Sequence, residues 1–202
     1  YGVDLDDQAV EVTRLNLSLR GAVTRQLLPT LTHIKHGNSL IADDSIAGER
    51  LGFDWAMRFP DVMNKGGFDA VIGNPPYVRI QNLPVAHKDY LSEKYQTTFG
   101  SYDIYIPFVE CGLHILNSQG YLGFILPHKF MNSQYGKKLR NLITKHKYLS
   151  DVIHFGHAQV FKRAATYTSI LTLAKSGQDK FQYTDVTSIN DWLSGKIPSH
   201  TM

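Results

Sequence analysis

One cysteine, Cys111, is all this chain contains. An internal disulfide framework is therefore excluded, and a reducing compartment is expected. Cysteine and histidine do not cluster at zinc-ligand spacing, so no metal site is expected. No apolar run has the length needed to cross a bilayer. The opening Tyr1-Gly2-Val3-Asp4 lacks the basic flank and apolar stretch of a signal peptide. Internal repeats and low-complexity segments are missing too, as is any pairing of acids with lysine that would suggest a nuclease site. What remains is a globular composition: 202 residues, 43% of them apolar, enough for one full-sized domain with its own core. Tyr1 is not an initiator Met and stands inside an apparent strand, so the chain reads as a fragment.

Net charge is +3 but unevenly spread. Between residues 127 and 165 stand Lys129, Lys137, Lys138, Arg140, Lys145, Lys147, Lys162 and Arg163, against one acid, Asp151. A solvated helix face plus a loop would account for this. So would a surface that faces phosphate, since affinity for polyanions comes largely from such charge.

Apolar periodicity predicts strands over 1–5, 31–36, 68–73, 121–126, 149–155, 167–174 and 181–186. It predicts helices over 7–19, with Gly21 as the stop, and over 83–95, 102–116, 133–146 and 188–193. Gly120 reads as a turn before its strand. Residues 41–65 look irregular with one short helix near Trp55, and the last residues look like a tail or cut linker. The alternation of strand and helix implies an α/β fold with a mostly parallel sheet flanked by helices. Residues 1–175 form the expected catalytic domain, and 176–202 a linker or the start of another domain.

Asn74-Pro75-Pro76-Tyr77 is the strongest chemical signal. It follows the apolar run Phe-Asp-Ala-Val-Ile-Gly, and ligands of open α/β sheets bind just beyond such strand ends. Proline fixes φ and holds the preceding residue extended, so the segment is a stiff ledge with carbonyls but no N–H at two positions. Such a ledge suits a group with hydrogens to donate, such as an amine. Asn74 adds a side-chain acceptor, and Tyr77 an aromatic face for a flat base. A rigid turn is the plain structural alternative. Asp4 and Leu5 end an earlier strand, where an acid takes ribose hydroxyls in nucleotide-binding folds; Asp6 fits a helix N-cap. Asn38 and Ser39 end the next strand, where an ordinary loop is the alternative. Cys111 lies in an apolar helical run and reads as a buried structural thiol.

Those segments, in that order, resemble the gamma-class N6-adenine DNA methyltransferases of restriction–modification systems, including the methyltransferase part of type IIG enzymes. Residues 68–79 are similar to that family's catalytic motif, 101–110 to its next motif, 120–131 to the following strand and loop, and 154–172 to the segment that supplies a second aromatic for the base. The resemblance implies the Rossmann-like S-adenosylmethionine-dependent fold, S-adenosyl-L-methionine as cofactor, double-stranded DNA as partner, and a prokaryotic cytoplasmic setting. A target-recognition domain and a restriction endonuclease, fused or separate, are the further partners it implies. Asn74 and the Pro75 carbonyl would bind the N6 amine, with Pro76 stiffening the ledge. Tyr77 and Phe161 would sandwich the flipped base. Lys129, Lys162 and Arg163 would face DNA. Asp4, Leu5, Asn38, Ser39 and Asp103 would hold the cofactor. Asn38 stands where the family often has Asp, and Phe161 is alternatively a core aromatic.

The family's glycine-rich cofactor loop and first strand precede the position of Asp4. The expectation is that this chain alone binds S-adenosyl-L-methionine weakly or not at all. Two relatives in chemistry, the protein-glutamine methyltransferases of release factors and the RNA guanine-N2 methyltransferases, use a similar ledge. Against them stand the segment 41–65, the Ser-Tyr-Asp-Ile-Tyr run and the basic loop around Phe161. A non-catalytic DNA-binding remnant is the rival of another class.

Overall fold

The computed structural model describes residues 1–23, 31–158, 160 and 167–202. They form two compact units, Tyr1–Asn64 and Lys65–Met202.

In the first unit, β1 (Gly2–Asp4) leads into α1 (Asp7–Val23), and β2 (Ile34–His36) pairs in parallel with β1, setting Asp4 opposite His36. The helix runs through Gly21 rather than stopping there, since one interior glycine costs only about 1 kcal/mol. The segment read as irregular carries three short helices: α2 (Asp44–Ala47), α3 (Trp55–Arg58) and α4 (Pro60–Met63). Aspartates start the first two. Asp43 accepts from the Ser45 amide, and Asp54 from the amides of Ala56 and Met57. Pro60 occupies the first turn of the third, where its missing N–H costs nothing. Phe53, Trp55 and Phe59 pack around one another beneath these turns, and Phe59 is wholly buried.

The second unit holds β3 (Phe68–Gly73), α5 (Val85–Lys94), α6 (Tyr105–Ile115), β4 (Leu116–Pro127), α7 (Lys137–Lys145), β5 (Leu149–His154), β6 (Thr168–Ala174), β7 (Gln182–Asp185), α8 (Ile189–Leu193) and β8 (His200–Thr201). Its sheet has the order β3-β4-β6-β5-β7-β8. β3 and β4 are parallel, as are β5 and β7, while β6 runs antiparallel to both of its neighbours. The α/β class therefore holds with a mixed sheet. Alternation in a sequence marks a strand but not its direction, and an antiparallel neighbour needs no helical crossover. The strand expected over 181–186 forms as β7 and lies along β5, and the expected tail adds β8 along β7.

Cα partners across the ladders place Leu122 and Phe124 on the same face as Leu173 and Leu171, and Val152 opposite Leu171. That face is the core. α6 is buried along nearly its whole length and lies so close that a Cβ on Gly112 would stand 2.3 Å from Leu122 Cδ1. α7 adds Leu139 and Ile143. On the opposite face Ile72 is 86% exposed. Gly120 is not a turn. It lies within β4, where a Cβ would sit 2.7 Å from the Phe68 carbonyl oxygen, and the β3–β4 register shifts beside it.

Candidate active site

Because β4 and β5 both oppose β6, the strands β3, β4, β5 and β7 point the same way, and their carboxyl ends form one rim. Asn74 follows β3 at this rim, His128 follows β4, and His154 and Asp185 end β5 and β7.

The ledge is built as its composition requires. Asn74 and Pro76 are exposed, Pro75 is buried, and Tyr77 is half-buried. The Tyr77 hydroxyl donates to the Ile125 carbonyl oxygen on β4 at 3.3 Å, and its ring meets Tyr105 edge to face, with centroids 6.5 Å apart. Burial raises the Tyr77 pKa above the ordinary phenol value, so the hydroxyl remains a donor.

Just past the ledge the backbone pairs with the chain that enters α6. The Ile80 amide donates to the Tyr102 carbonyl at 2.9 Å, the Ile104 amide to the Val78 carbonyl at 2.8 Å, and Arg79 lies opposite Asp103. Sequence-distant Asp103 is thereby tied to the ledge. The pairing also explains why α6 starts at Tyr105 and not near 102. The Tyr135 hydroxyl lies 3.4 Å from Asp103 Oδ2 and 2.9 Å from the Tyr105 hydroxyl. Burial pushes both phenols up, Tyr105 further by its bond to Tyr135. Tyr105 and Tyr135 were missed as site residues. The signal for Tyr105 was a phenol inside an apolar run, which needs a polar partner once buried; Tyr135, in the polar stretch Asn-Ser-Gln-Tyr-Gly-Lys-Lys, carried none.

The basic segment resolves into separate jobs. Arg140 Nη1 donates to the carbonyls of Phe130 at 2.6 Å and Ser133 at 2.8 Å, and Lys138 donates to the Thr98 carbonyl at 2.9 Å. Lys147 pairs with Asp179 at 2.6 Å. Those three cations have partners within the fold, although Lys138 and Lys147 are exposed, as are Lys129, Lys137 and Lys145. Arg140 and Gly136 also hold 128–136 as a tight turn, which is why α7 begins at Lys137 rather than at 133. Phe161, Lys162 and Arg163 lie outside the described residues.

In the first unit, Asp4 and Asn38 lie at the same end of the β1–β2 pair. Asp4 is exposed, with Oδ1 accepting from the Asp6 amide at 2.9 Å. Leu5 beside it is 56% exposed, and its carbonyl lies 2.9 Å from His36 Nε2. Asn38 Oδ1 accepts from the Leu40 amide at 3.1 Å, so the side chain presents its Nδ2 hydrogens as donors. The Ser39 carbonyl takes the Trp55 indole N–H at 3.0 Å. A carboxylate for ribose hydroxyls, an uncovered leucine for a purine face and an amide donor for a ring nitrogen fit the adenosine half of a nucleoside cofactor. Among the described residues no group of His, Cys, Asp and Glu is arranged to hold a metal ion. No helix among them is long and apolar enough to cross a membrane.

Comparison with known proteins adds a family. The family described as Eco57I restriction-modification methylase matches residues 1–161. The type II restriction enzyme and methyltransferase RM.Eco57I of Escherichia coli is 36% identical over 96% of this chain, which spans 20% of that protein. The type II methyltransferase M.PaeR7I of Pseudomonas aeruginosa is 35% identical over 56% of the chain, again 20% of the relative. Among solved structures, a DrdV–DNA complex aligns over 91% of this chain and 21% of its own, with TM-score 0.69 and 16% identity. A class I S-adenosylmethionine-dependent methyltransferase from Listeria monocytogenes aligns over 96% and 51%, with TM-score 0.58 and 19% identity. At these identities the structural likeness carries the fold alone. The chain spans about a fifth of the curated relatives it matches.

Proposed function

Since the chain belongs to the Eco57I restriction-modification methylase family, we propose that it is the catalytic part of an enzyme that methylates the N6 amine of adenine in double-stranded DNA. The observation that carries this reading is the Asn74–Tyr77 ledge at the end of β3, with its aromatic ring anchored to β4.

An adenine N6 lone pair is delocalised into the ring, so the amine is a poor nucleophile. Asn74 Oδ1 and the Pro75 carbonyl accept its two hydrogens and hold the nitrogen nearer tetrahedral geometry, with the lone pair directed outward. S-adenosyl-L-methionine, when bound, supplies an electrophilic methyl carbon. Bond formation at N6 is balanced by loss of one N6 proton. The ledge contributes orientation and placed dipoles rather than covalent chemistry. Tyr77 stacks on the base, which must leave the duplex to reach the ledge. Asp103, tied to the ledge through its pairing with Arg79, contacts the cofactor. Lys129, together with Phe161, Lys162 and Arg163, faces the DNA. Asp4, Leu5, Asn38 and Ser39 hold the adenosine part of the cofactor.

Because β7 and β8 extend the sheet, the catalytic part in this reading reaches past residue 175. Target recognition and DNA cleavage belong to other parts of the gene product or to separate partners. In this reading the enzyme works in the cytoplasm of a prokaryotic cell, where a restriction–modification system meets its DNA.

The test is to express the complete gene product in a host without adenine methylation and to quantify N6-methyladenine in its DNA. Methyladenine that appears with the wild type and vanishes with Asn74→Ala supports the reading. Its absence from a folded, soluble product overturns it, and labelled methyl transfer to release factors would then identify the glutamine-modifying alternative.

A further inference from the structure

A chain of three side chains crosses the rim beyond the ledge. Asp185 Oδ1 lies 3.1 Å from His154 Nδ1, and His154 Nε2 lies 2.6 Å from His128 Nδ1. The two imidazole planes are inclined by only 16° with centroids 4.9 Å apart, as an in-line N–H···N bond requires. Tyr167 packs along His128 with centroids 5.5 Å apart, and His157 meets Tyr167 edge-on. Tyr183 lies beyond His154, and exposed Lys129 follows His128 directly.

Valence determines what this chain does with protons. A carboxylate only accepts, so His154 Nδ1 carries a hydrogen for Asp185. One hydrogen lies between the rings. The neutral pair has two hydrogens, both used, and His128 Nε2 is left as a lone pair. A third hydrogen has one place to go, which is His128 Nε2. Its addition breaks no bond in the chain and turns that atom from acceptor into cationic donor. Asp185 favours the charged state from the far end. Burial, the neighbouring His154, Lys129 and His157 oppose it, so His128 is lowered from its ordinary value and neutral in the free protein near pH 7.

We propose that the Asp185–His154–His128 chain is a proton-dependent phosphodiester site: His128, on gaining its Nε2 hydrogen, contacts a DNA phosphate beside Lys129 at the carboxyl-end rim. This proposal rests on the DNA-methylation reading. A phosphate is the ligand that chemistry at this place selects. It is an anion that accepts from Nε2–H, restores the proton that burial and Lys129 disfavour, and is shared with the adjacent lysine. DNA binding is then accompanied by uptake of a proton.

The test measures the affinity of the complete gene product for labelled duplex DNA from about pH 8 to about pH 6, across the ordinary histidine range, with methyl transfer assayed in parallel. The wild type tightens as pH falls by about three- to tenfold more than His128→Gln, the size expected for one group whose pKa moves by up to about a unit on binding. Lys129→Gln weakens binding at every pH and moves the His128-dependent tightening to higher pH, since Lys129 no longer opposes the proton. Asp185→Asn moves the transition to lower pH, since the chain loses its counter-charge. A His128→Gln protein that methylates DNA and keeps the full wild-type pH dependence overturns this proposal and leaves the methylation reading standing. A wild type that neither binds nor methylates DNA at any pH overturns both.

Discussion

The Tyr77 hydroxyl and the Ile125 carbonyl oxygen, 3.3 Å apart, join the ledge after β3 to the neighbouring strand β4. One bond and one edge-to-face contact thus fix an aromatic plane beside two prolines that already fix the backbone. If Tyr77 stacks on the base, its ring matters more than its hydroxyl. Tyr77→Phe keeps the ring and loses about 1 kcal/mol, a few-fold in the rate of methyl transfer. Tyr77→Ala loses about 1–3 kcal/mol of stacking, roughly ten- to a hundredfold. Equal effects from the two variants, measured as kcat/KM on unmethylated DNA, would remove the stacking role.

Alkali should destabilise the second unit in a defined direction. Burial raises the folded pKa of Tyr77, Tyr95 and Tyr105 above the value of 10.0 they have when unfolded. The unfolded chain therefore loses protons that the folded chain keeps. The stabilisation from these groups is full below that value and is lost as pH rises through and beyond it. Circular dichroism melts should show Tm falling above about pH 10, with tyrosinate absorbance appearing in step with unfolding. Tyrosinate that forms in the folded protein first would contradict the assignment.

Glu110 is 2% exposed and accepts the amides of Gln96 at 3.1 Å and Thr97 at 2.8 Å. It staples the chain after α5 to the middle of α6. Glu110→Ala leaves both donors unsatisfied and should cost about 2–4 kcal/mol in denaturant unfolding. Glu110→Gln keeps one acceptor oxygen and should cost about half as much. A loss below 1 kcal/mol for the alanine variant would show the staple to be dispensable.

Gly136 has no room for a side chain: a Cβ would lie 2.1 Å from the Phe130 carbonyl oxygen. Backbone must move, and the turn carrying His128 and Lys129 moves with it. Gly136→Ala should lower DNA affinity at least severalfold while the far-UV spectrum stays native. Unchanged affinity would uncouple that turn from DNA.

Cofactor affinity tests the first unit. In the proposed reading Asp4, Leu5 and Asn38 take the adenosine side of the cofactor. Calorimetry on the complete gene product should show Asp4→Ala weakening S-adenosyl-L-methionine by about tenfold, the loss of one charge-assisted hydrogen bond. Unchanged affinity in that variant would remove Asp4 from the cofactor site.

The sequence by itself determined the elements and the ledge. β3 was legible to the residue, because an apolar run ended by Asn-Pro-Pro-Tyr admits one reading: proline removes ladder donors whatever surrounds it. Helix α6 was equally legible from its continuous apolar run, though its first turn was not, since the 102–104 pairing with 78–80 is a contact between distant segments. Strand direction belongs to tertiary structure. The alternation of 167–174 is the same whether β6 runs with or against its neighbours, so only the assembled ladder revealed the mixed sheet. The fate of charge was decided there as well. Lys138, Arg140 and Lys147 were indistinguishable from other basic residues in the sequence, yet the fold gives each of them an acceptor from another segment. The rim's chain of two imidazoles and a carboxylate joins residues 128, 154 and 185, too far apart in sequence for any periodicity to connect. Local propensity and steric rules act over a few residues; which donors meet which acceptors is settled only when strands from separate parts of the chain end at one edge.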